Sequence, residues 1–270
     1  MHYKRLFMSL SIAAVALGIF TAGAATDTLP GGAINVGSAD YFTVLAKGDA
    51  GFTDNTITGP SFVTGNYGVG GQGTLSITGS STITGKLVMH GGGHPNLSGS
   101  AKITGGVSNN DAQLNAALAD AQSLSNAAWA ETPTMALSNV NITNVNQSMT
   151  ITGGPNQKVV LRLTDFTMSA GTFTLQGTAT TSFIINVARN FSLNNAKIVL
   201  SGGVPPQNVL FNIRGTGGQV SLNQGTQLPG TLLALNRKVD LSGGHVTGKV
   251  IADQVVITSG GSVVTPTTNR

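Results

Sequence analysis

The chain of 270 residues contains no cysteine, a single tryptophan and few charged side chains. Only 9% of its residues are Asp, Glu, Lys or Arg, whereas an ordinary globular domain has roughly 25%. The scarcity of Glu, Lys, Arg and Gln, which favour exposed helix, argues against a helical bundle. Without cysteine, stability cannot come from disulfides and must come from packing. A hydrophobic content of 40% is enough to build a core and argues against disorder.

Small and polar residues take the place of the missing charge. The sequence contains 37 Gly, 33 Thr, 22 Ser and 22 Asn. Thr is a strand former, and Gly and Asn are typical turn residues. The composition therefore predicts a β-rich protein with a threonine-rich surface.

The segment from Met1 to Ala24 has the pattern of a secretory signal peptide. Two basic residues in Met1–Arg5 precede an apolar run from Leu6 to Phe20, and Ala22-Gly23-Ala24 fits the small-residue cleavage rule. The run of about 15 residues is shorter than the ~20 needed to span a bilayer, and no transmembrane anchor is expected elsewhere. We therefore predict a secreted, extracellular chain in which residues 25–270 form a single β-solenoid domain.

The predicted mature chain carries little net charge. Removal of Lys4 and Arg5 leaves 12 basic and 10 acidic residues. A charge near +2 without a clustered Lys/Arg stripe argues against nucleic acid as a partner.

Short motifs recur along the sequence. Ile-Thr-Gly or Val-Thr-Gly occurs seven times, and the C-terminal third repeats paired apolar strands. The second member of each pair begins at Phe191, Val220, Val239 and Val255. A period of roughly 20 residues, built from alternating strands and Gly turns, is typical of a β-solenoid. A β-sandwich is the alternative, but its hairpins favour Asn-Gly or Asp-Gly turns, and the sequence has neither dipeptide.

Alignment of these repeats predicts which side chains point outward. In Phe191-Ser192-Leu193, a period of two places Phe and Leu inside and Ser outside. By the same alignment, Ser192, Ser221, Asp240 and Val256 share one outward column. Because this column carries charge, an uncharged surface is expected on the Thr-rich central coils instead.

One segment, residues 109–130, has the pattern of a helix. It contains no Gly or Pro, and its apolar face is formed by Leu114, Ala117, Leu118, Ala121, Leu124 and Ala128. Ser108 and Asp111 have the spacing of a capping box, and Pro133 follows the far end. A helix of about 22 residues would be ~33 Å long and would cross about seven rungs spaced ~4.8 Å apart. We expect it to pack alongside the β core.

A signal peptide, β coils, one inserted helix and further β coils resemble the ice-binding-like domain family. The local matches are residues 36–46, 57–69, 111–121, 229–234 and 246–252. The resemblance covers most of residues 34–264 and implies a right-handed discontinuous parallel β-helix with one long α-helix alongside. Residues 183–252 are also similar to the choice-of-anchor A domain of bacterial surface proteins. That similarity implies adhesion instead of ice binding.

Five Thr-x-Thr pairs are the candidate surface-binding residues. Residues two apart on a strand point to the same side, about 6.6 Å apart, and stacked coils repeat every ~4.8 Å. A flat, uncharged array of this kind can dock on an ice lattice, and rigid β-branched side chains lose little entropy in doing so. Exposed Thr is also ordinary strand chemistry, so both interpretations stay open. The pairs are Thr56 and Thr58, Thr82 and Thr84, Thr150 and Thr152, Thr172 and Thr174, and Thr178 and Thr180.

Other chemistry has weaker support in the sequence. His90 and His94 flank three glycines, which predicts a glycine turn more than a metal site, because structural metals take three or more ligands. No Gly-x-Ser-x-Gly nucleophile motif is present, and a single Glu leaves no close carboxylate pair. We therefore predict a non-enzymatic protein without catalytic residues, metal or cofactor.

Two functions remain open at this stage. The first is a secreted solenoid that binds ice and limits its growth through a flat Thr face. The second is an extracellular adhesion protein that holds another extended surface or polymer, with possible self-association through exposed strand edges. Adhesion would favour an aromatic patch, for which Tyr41, Phe42, Phe52 and Tyr67 are the candidates, although burial of these side chains is the ordinary expectation.

Overall fold

The computed structural model describes residues 32–49, 54–215 and 218–266. The predicted signal peptide and Phe52 lie outside the described residues. Two short 3-10 helices occupy Gly37–Tyr41 and Pro206–Asn208, and the helix α1 spans Asp111–Ala130.

Short strands account for most of the described chain. In chain order they are β1 (Phe42–Ala46), β2 (Asp54–Ile57), β3 (Phe62–Thr64), β4 (Asn66–Val69), β5 (Thr74–Ile77), β6 (Thr82–Ile83), β7 (Leu87–Met89), β8 (Pro95–Leu97), β9 (Lys102–Ile103), β10 (Val107–Asn109), β11 (Asn139–Ile142), β12 (Ser148–Thr152), β13 (Lys158–Leu163), β14 (Asp165–Met168), β15 (Thr172–Gln176), β16 (Ser182–Val187), β17 (Phe191–Asn194), β18 (Lys197–Ser201), β19 (Val209–Ile213), β20 (Val220–Asn223), β21 (Gln227–Ser242), β22 (His245–Thr258) and β23 (Ser262–Val264).

The strands stack in parallel as a β-helix with three faces. Each coil contributes one strand to each face, and β21 and β22 turn two corners and belong to all three. The predicted β-helix with one long helix alongside is therefore confirmed, and the sandwich alternative, which needs antiparallel hairpins, is wrong.

We name the faces by what they carry. The helix face contains β10, β7, β4, β1, β22, β21, β19, β16 and β13, from the upper end to the lower end. The second face contains β8, β5, β2, β22, β21, β20, β17, β14 and β11. The Thr face contains β9, β6, β3, β23, β22, β21, β18, β15 and β12.

The chain does not climb the stack in one pass. It starts in the middle with β1 and reaches the upper end at β10, and after α1 it restarts at the lower end with β11. The last coil then meets the first, because β22 pairs with β1 and β2, and β23 pairs with β3. The N-terminal coils therefore close against the C-terminal coils.

Along most strands of the second face and the Thr face, alternation of burial matches the predicted period of two, whereas helix-face strands such as β1 and β16 are buried throughout. In β17, Phe191 and Leu193 are buried in the core and Ser192 points outward. The registers also place Ser192, Ser221, Asp240 and Val256 in one column of the second face, as predicted. The interior of the β-helix is one continuous apolar cluster from Ile83 at the upper coils to Ile151 at the lower coils.

The helix begins two residues later than predicted and is capped differently. Asn110 is the N-cap, and its side-chain oxygen accepts a hydrogen bond from the Gln113 N–H at 3.0 Å. The predicted capping box is wrong because Ser108 belongs to β10, where it pairs with Val88. Asn is as good an N-cap as Ser, so the register of the helix moves without loss of a cap.

α1 covers the helix face. Its buried residues include Leu114, Ala117, Ala121, Leu124 and Ala128, which is the predicted apolar side. They form a second apolar cluster with outward residues of seven strands, which are Val88, Leu45, Ile251, Leu233, Leu210, Ile184 and Val160. The helix therefore follows most of the stack. Beneath it, β4 packs closely against side chains of β1, because a Cβ on Gly68 would lie 2.7 Å from Leu45 Cδ1.

A buried polar ladder fixes the C-terminal half of α1. Asn186 and Asn212 are stacked outward residues of β16 and β19, and Asn212 Nδ2 donates to Asn186 Oδ1 at 2.8 Å. Asn186 Nδ2 also donates to the Ala128 carbonyl at 2.7 Å, and Asn212 Nδ2 donates to the Ser125 carbonyl at 3.0 Å. Ser125 Oγ donates in turn to Asn212 Oδ1 at 2.8 Å. These bonds hold the helix at one position along the face.

We expect Asn212→Ala to destabilise the protein by about 1–3 kcal/mol, because it leaves buried groups of Ser125 and Asn186 without their partner. Urea unfolding followed by circular dichroism measures this change. Asn96→Ala is the matched control, because Asn96 is an exposed outward residue of the second face, and it should change the free energy of unfolding by less than about 0.5 kcal/mol. Equal effects of the two substitutions would contradict the proposed role of the ladder.

Candidate functional site

Two columns of nine outward residues run the length of the Thr face, and a third, shorter column on the three lowest coils contains Thr152, Gln176 and Ser201. The central column is uncharged and contains six threonines. From the upper end it contains Thr104, Thr84, Thr64, Val264, Thr247, Pro229, Val199, Thr174 and Thr150. The neighbouring column contains Lys102, Thr82, Phe62, Ser262, His245, Gln227, Lys197, Thr172 and Ser148. Small uncharged side chains therefore repeat at about 4.8 Å along the central column.

Neither of the two long columns of the Thr face contains an acidic residue. The only lysines in these columns are Lys102 on the top coil and Lys197 two coils above the lower end. The hydroxyls of Thr150 and Thr174 make no hydrogen bond to any described group of the chain, so they are available to water. Because Lys102 and Lys197 are the only lysines and no acidic residue is present in these columns, the Thr face is close to neutral over most of its length.

The second face differs in charge. It carries Asp54, Asp165, Lys238 and Asp240, and Lys238 and Asp240 form an ion pair at 3.4 Å. Its outward column also includes Thr56, which pairs with Val256. The two exposed faces therefore offer different surfaces, one neutral and one with charges of both signs.

The structure separates the ten predicted threonines. Six of them lie on the Thr face, namely Thr82, Thr84, Thr150, Thr152, Thr172 and Thr174. Thr56 belongs to the second face, and Thr58 follows it at the end of β2. Thr178 and Thr180 lie in the turn after β15, where their hydroxyls are 3.1 Å apart, so the strand geometry predicted for this pair is wrong.

Three threonines of the central column were not among the candidates. Thr64, Thr104 and Thr247 each stand in a Val-Thr-Gly or Ile-Thr-Gly tripeptide and not in a Thr-x-Thr pair. In this tripeptide the Val or Ile points into the core, the Thr points outward and the Gly turns the corner. The tripeptide was visible in the sequence and is the better signal for this face, although the copies at residues 57–59 and 77–79 belong to the second face.

A notch interrupts the Thr face between β18 and β21. Only Lys197 and Gln227 are paired there, and Pro229 has no N–H to donate to the next strand. The resulting cavity of about 260 Å³ is open to solvent and is lined by Ile198, Gln227, Leu228, Pro229, His245 and Thr247. His245 Nδ1 lies 2.9 Å from Ser262 Oγ beside it. The notch divides the Thr face into two parts. The lower patch consists of β12, β15 and β18, and the upper patch consists of the strands from β21 to β9.

Other candidate residues have structural roles. Both ring nitrogens of His90 lie near carbonyl oxygens, those of Gly91 at 3.0 Å and Gly73 at 3.2 Å, as expected for a side chain that holds a glycine turn. Within the described ranges, no three His, Asp or Glu residues are grouped as metal ligands would be. Phe42 and Tyr67 are fully buried, so they cannot form an exposed aromatic patch with Tyr41.

A charged cluster lies at the corner between the helix face and the second face. Arg189 forms an ion pair with Asp165 at 2.6 Å, and Asn190 Nδ2 donates to the same carboxylate at 2.7 Å. The hydrogen bond from Arg189 keeps the pKa of Asp165 below its usual range, so this carboxylate stays ionised in mild acid. In the part of the chain that the structure describes, no helix is both long and apolar enough to cross a membrane.

Three solved structures share this architecture. An ice-binding protein from an Antarctic Biological Consortium is 23% identical, with 86% of this chain and 90% of that chain covered and a TM-score of 0.57. A glycosylated ice-binding protein from an Arctic yeast is 17% identical, with 87% and 95% covered and a TM-score of 0.56. An ice-binding protein from an Antarctic bacterium, Flavobacteriaceae, is 23% identical, with 86% and 47% covered and a TM-score of 0.53.

At these identities the likeness shows a common fold. No curated protein matches the chain. The ice-binding-like adhesive domain family matches residues 31–264, a range that includes every strand and the helix described above. The chain therefore belongs to the ice-binding-like adhesive domain family.

Proposed function

We propose that this protein binds ice, without catalytic activity, through the Thr face. The observation that carries the proposal is the uncharged central column, in which six of nine outward residues are Thr and the other three are Val or Pro. Positions two apart on a strand are about 6.6 Å apart and stacked coils about 4.8 Å apart, so the outward side chains form a regular two-dimensional array, in which the free hydroxyls of Thr150 and Thr174 can order water. The solved structures of similar fold are, by their descriptions, ice-binding proteins.

The second face is a weaker candidate for the same function. Its four charged outward residues would each have to lose water of hydration against an uncharged lattice, which is unfavourable. The helix face is covered by α1. The Thr face is therefore the surface on which ice binding should be tested.

We expect Thr174→Tyr to abolish most of the thermal hysteresis and ice recrystallisation inhibition of the purified protein. Thr174 is in the centre of the lower patch, and a bulky ring there would hold the flat surface away from ice. Thr56→Tyr is the matched control, because it places the same ring in the outward column of the second face. Both variants should keep their thermal unfolding temperature, and equal loss of activity in both would contradict the assignment of the face.

A gain of activity is expected from Lys197→Thr. Lys197 is exposed and stands beside Thr172 in the neighbouring column of the lower patch. Replacing its ammonium with a hydroxyl removes the cost of bringing a hydrated charge against ice. Thermal hysteresis at equal protein concentration should rise in this variant and stay unchanged in Lys86→Thr, which removes a lysine from the turn before β7. A fall in activity for Lys197→Thr would show that the ammonium contributes to binding.

Adhesion is the second candidate function, because the family to which the chain belongs is one of ice-binding-like adhesive domains. A flat neutral face can hold an extended polymer as well as ice. The upper end coil, formed by β8, β9 and β10, leaves core-facing side chains open to solvent, with Leu97 49% and Val107 46% exposed. A second copy could cover this end, so self-association remains a prediction. A chain without ice activity that nevertheless binds a polymer surface would make adhesion the working answer.

We also propose that the protein is exported and that residues 1–24 are removed. The support is the basic start, the apolar run and the Ala22-Gly23-Ala24 site in the sequence. Expression of the full chain in a secreting bacterial host should release a protein whose mass corresponds to an N-terminus at Ala25. Retention of the full-length mass in the cytoplasm would contradict this proposal.

A further inference from the structure

All four arginines in the described part of the chain lie at one corner of the β-helix, between the helix face and the second face. Each belongs to a different coil, and the four coils are consecutive. Arg162 is near the end of β13, Arg189 follows β16, Arg214 follows β19 and Arg237 is in β21. Coils are spaced by about 4.8 Å, so the corner carries one arginine per coil. The arginines are offset along the strands, because the residues in register with Arg162 are Asn186 and Asn212.

Backbone hydrogen bonds place Arg189 and Arg214 on adjacent coils, with Arg189 on the coil next to that of Arg162. The Arg214 N–H donates to the Val187 carbonyl at 2.9 Å, and the Arg189 N–H donates to the Thr164 carbonyl at 2.8 Å. Arg237 is almost completely buried, and its guanidinium donates to the carbonyls of Arg189 and Gly218. It holds the backbone that presents Arg189, and the three outer arginines remain for contact with solvent. We call Arg162, Arg189 and Arg214 the arginine ladder.

The only tryptophan of the chain completes the ladder. Trp129 is half-buried at the C-terminal end of α1, with Arg162 Cζ at 5.1 Å and Arg214 Cζ at 5.5 Å from its ring centroid. Arg162 also donates hydrogen bonds to the carbonyls of Trp129 and Glu131. An aromatic ring beside two guanidinium groups is therefore partly open to solvent at this corner.

Positive charge on the ladder is incompletely balanced. Arg189 has Asp165 as its partner, but neither Arg162 nor Arg214 forms an ion pair with a described carboxylate. Charge is also uneven along the chain, with eight basic and four acidic residues in 131–266 but three basic and five acidic residues in 32–49 and 54–130. The ladder belongs to the basic part of the molecule.

We propose that the arginine ladder and Trp129 bind an acidic polysaccharide, one that carries a carboxylate on its sugar rings. Guanidinium groups match carboxylates in a planar, two-pronged geometry, and the part of the indole that is open to solvent offers an apolar contact to a sugar ring. The three arginines stand on successive coils, so an extended polymer can reach all of them. Three charges are few for a nucleic acid site. This site is separate from the Thr face and does not depend on ice binding.

The experiment measures binding of polygalacturonate to the purified mature chain by the fluorescence of Trp129, which is the only tryptophan and lies in the site. We expect saturable binding that changes this fluorescence, with neutral dextran giving no change. Arg189→Gln with Arg214→Gln should weaken binding about tenfold or more, because charge-assisted hydrogen bonds are lost. Lys86→Gln with Lys102→Gln is the matched control, since it removes the same charge from lysines far from the ladder, and it should weaken binding less than about twofold.

We expect Asp165→Asn to strengthen the binding of polygalacturonate. This change keeps a similar side-chain shape, removes the carboxylate that pairs with Arg189 and should tighten polygalacturonate binding severalfold. Urea unfolding of each variant shows that the chain still folds, and Arg214→Lys gives a second test because it keeps the charge but loses the planar fork. It should bind more weakly than the parent protein.

Several results would overturn the proposal. Equal weakening by the arginine and lysine pairs would reduce the effect to net charge, and absence of saturable binding would remove the site. Tighter binding of single-stranded DNA with the same dependence on Arg189 and Arg214 would replace the polysaccharide with a nucleic acid. Ice recrystallisation inhibition should be unchanged in the arginine variants and polygalacturonate binding unchanged in Thr174→Tyr, so failure of one function is distinguishable from failure of the other.

Discussion

The pairing between the first and last coils is the constraint on which the rest of the structure depends. Phe62 pairs with Ser262, Val44 with Val250 and Thr56 with Val256, so residues from the two ends of the described chain share one coil-to-coil contact on every face. Without this joint, the strands β1 to β10 and β11 to β23 would be two short stacks, each with exposed core residues. With it, the apolar interior is continuous and buries what neither stack could bury alone. The same joint extends the Thr face over all nine coils, since Thr64 continues the column of Val264 and Thr247.

The helix adds a second constraint along the helix face. It runs from the upper end, where Asn110 caps it, along the helix face to the ladder of Asn186 and Asn212 near the lower end. Apolar contacts would tolerate sliding of a helix rich in Ala, because many positions along its face are alike. Hydrogen bonds of buried amides are directional, and leaving one of them unmade is costly. The asparagine pair therefore fixes the helix along the stack, and with it the position of Trp129 beside Arg162.

The sequence predicts the structure of a single coil but not how the coils are assembled. The period of two predicted which residues of β17 are buried, and repeated motifs predicted the column from Ser192 to Val256, because consecutive repeats there align residue for residue. Coil lengths nevertheless vary, since the interval between successive second strands shortens at each step from β17 to β20, β21 and β22. Coils differ in the number of residues at their corners, so the sequence does not show where a strand ends and a turn begins. For this reason the prediction that Thr178 and Thr180 lie on a strand is wrong, and both lie in a turn.

The arginine ladder is a second feature that the sequence alone does not predict. The intervals that separate Arg162, Arg189, Arg214 and the buried Arg237 follow no fixed period, and these residues become neighbours only because each coil has its own length. Composition indicated a nearly neutral surface without a basic stripe, and that holds for the Thr face but not for this corner. Three-dimensional stacking concentrates sparse charge in a way that a linear scan does not reveal.

The relative position of the two proposed sites has a consequence for function. A three-sided β-helix has three corners, and the one between the helix face and the second face is the corner opposite the Thr face. Arg162, Arg189 and Arg214 therefore point away from Thr174 and its column. A ligand on the ladder would not cover the Thr face, and a guanidinium group would not stand among the threonines, where its hydration would oppose contact with ice. Under the two proposals, the arginines stand apart from the surface that contacts ice and hold a charged polymer at the same time, so that the protein joins two different surfaces.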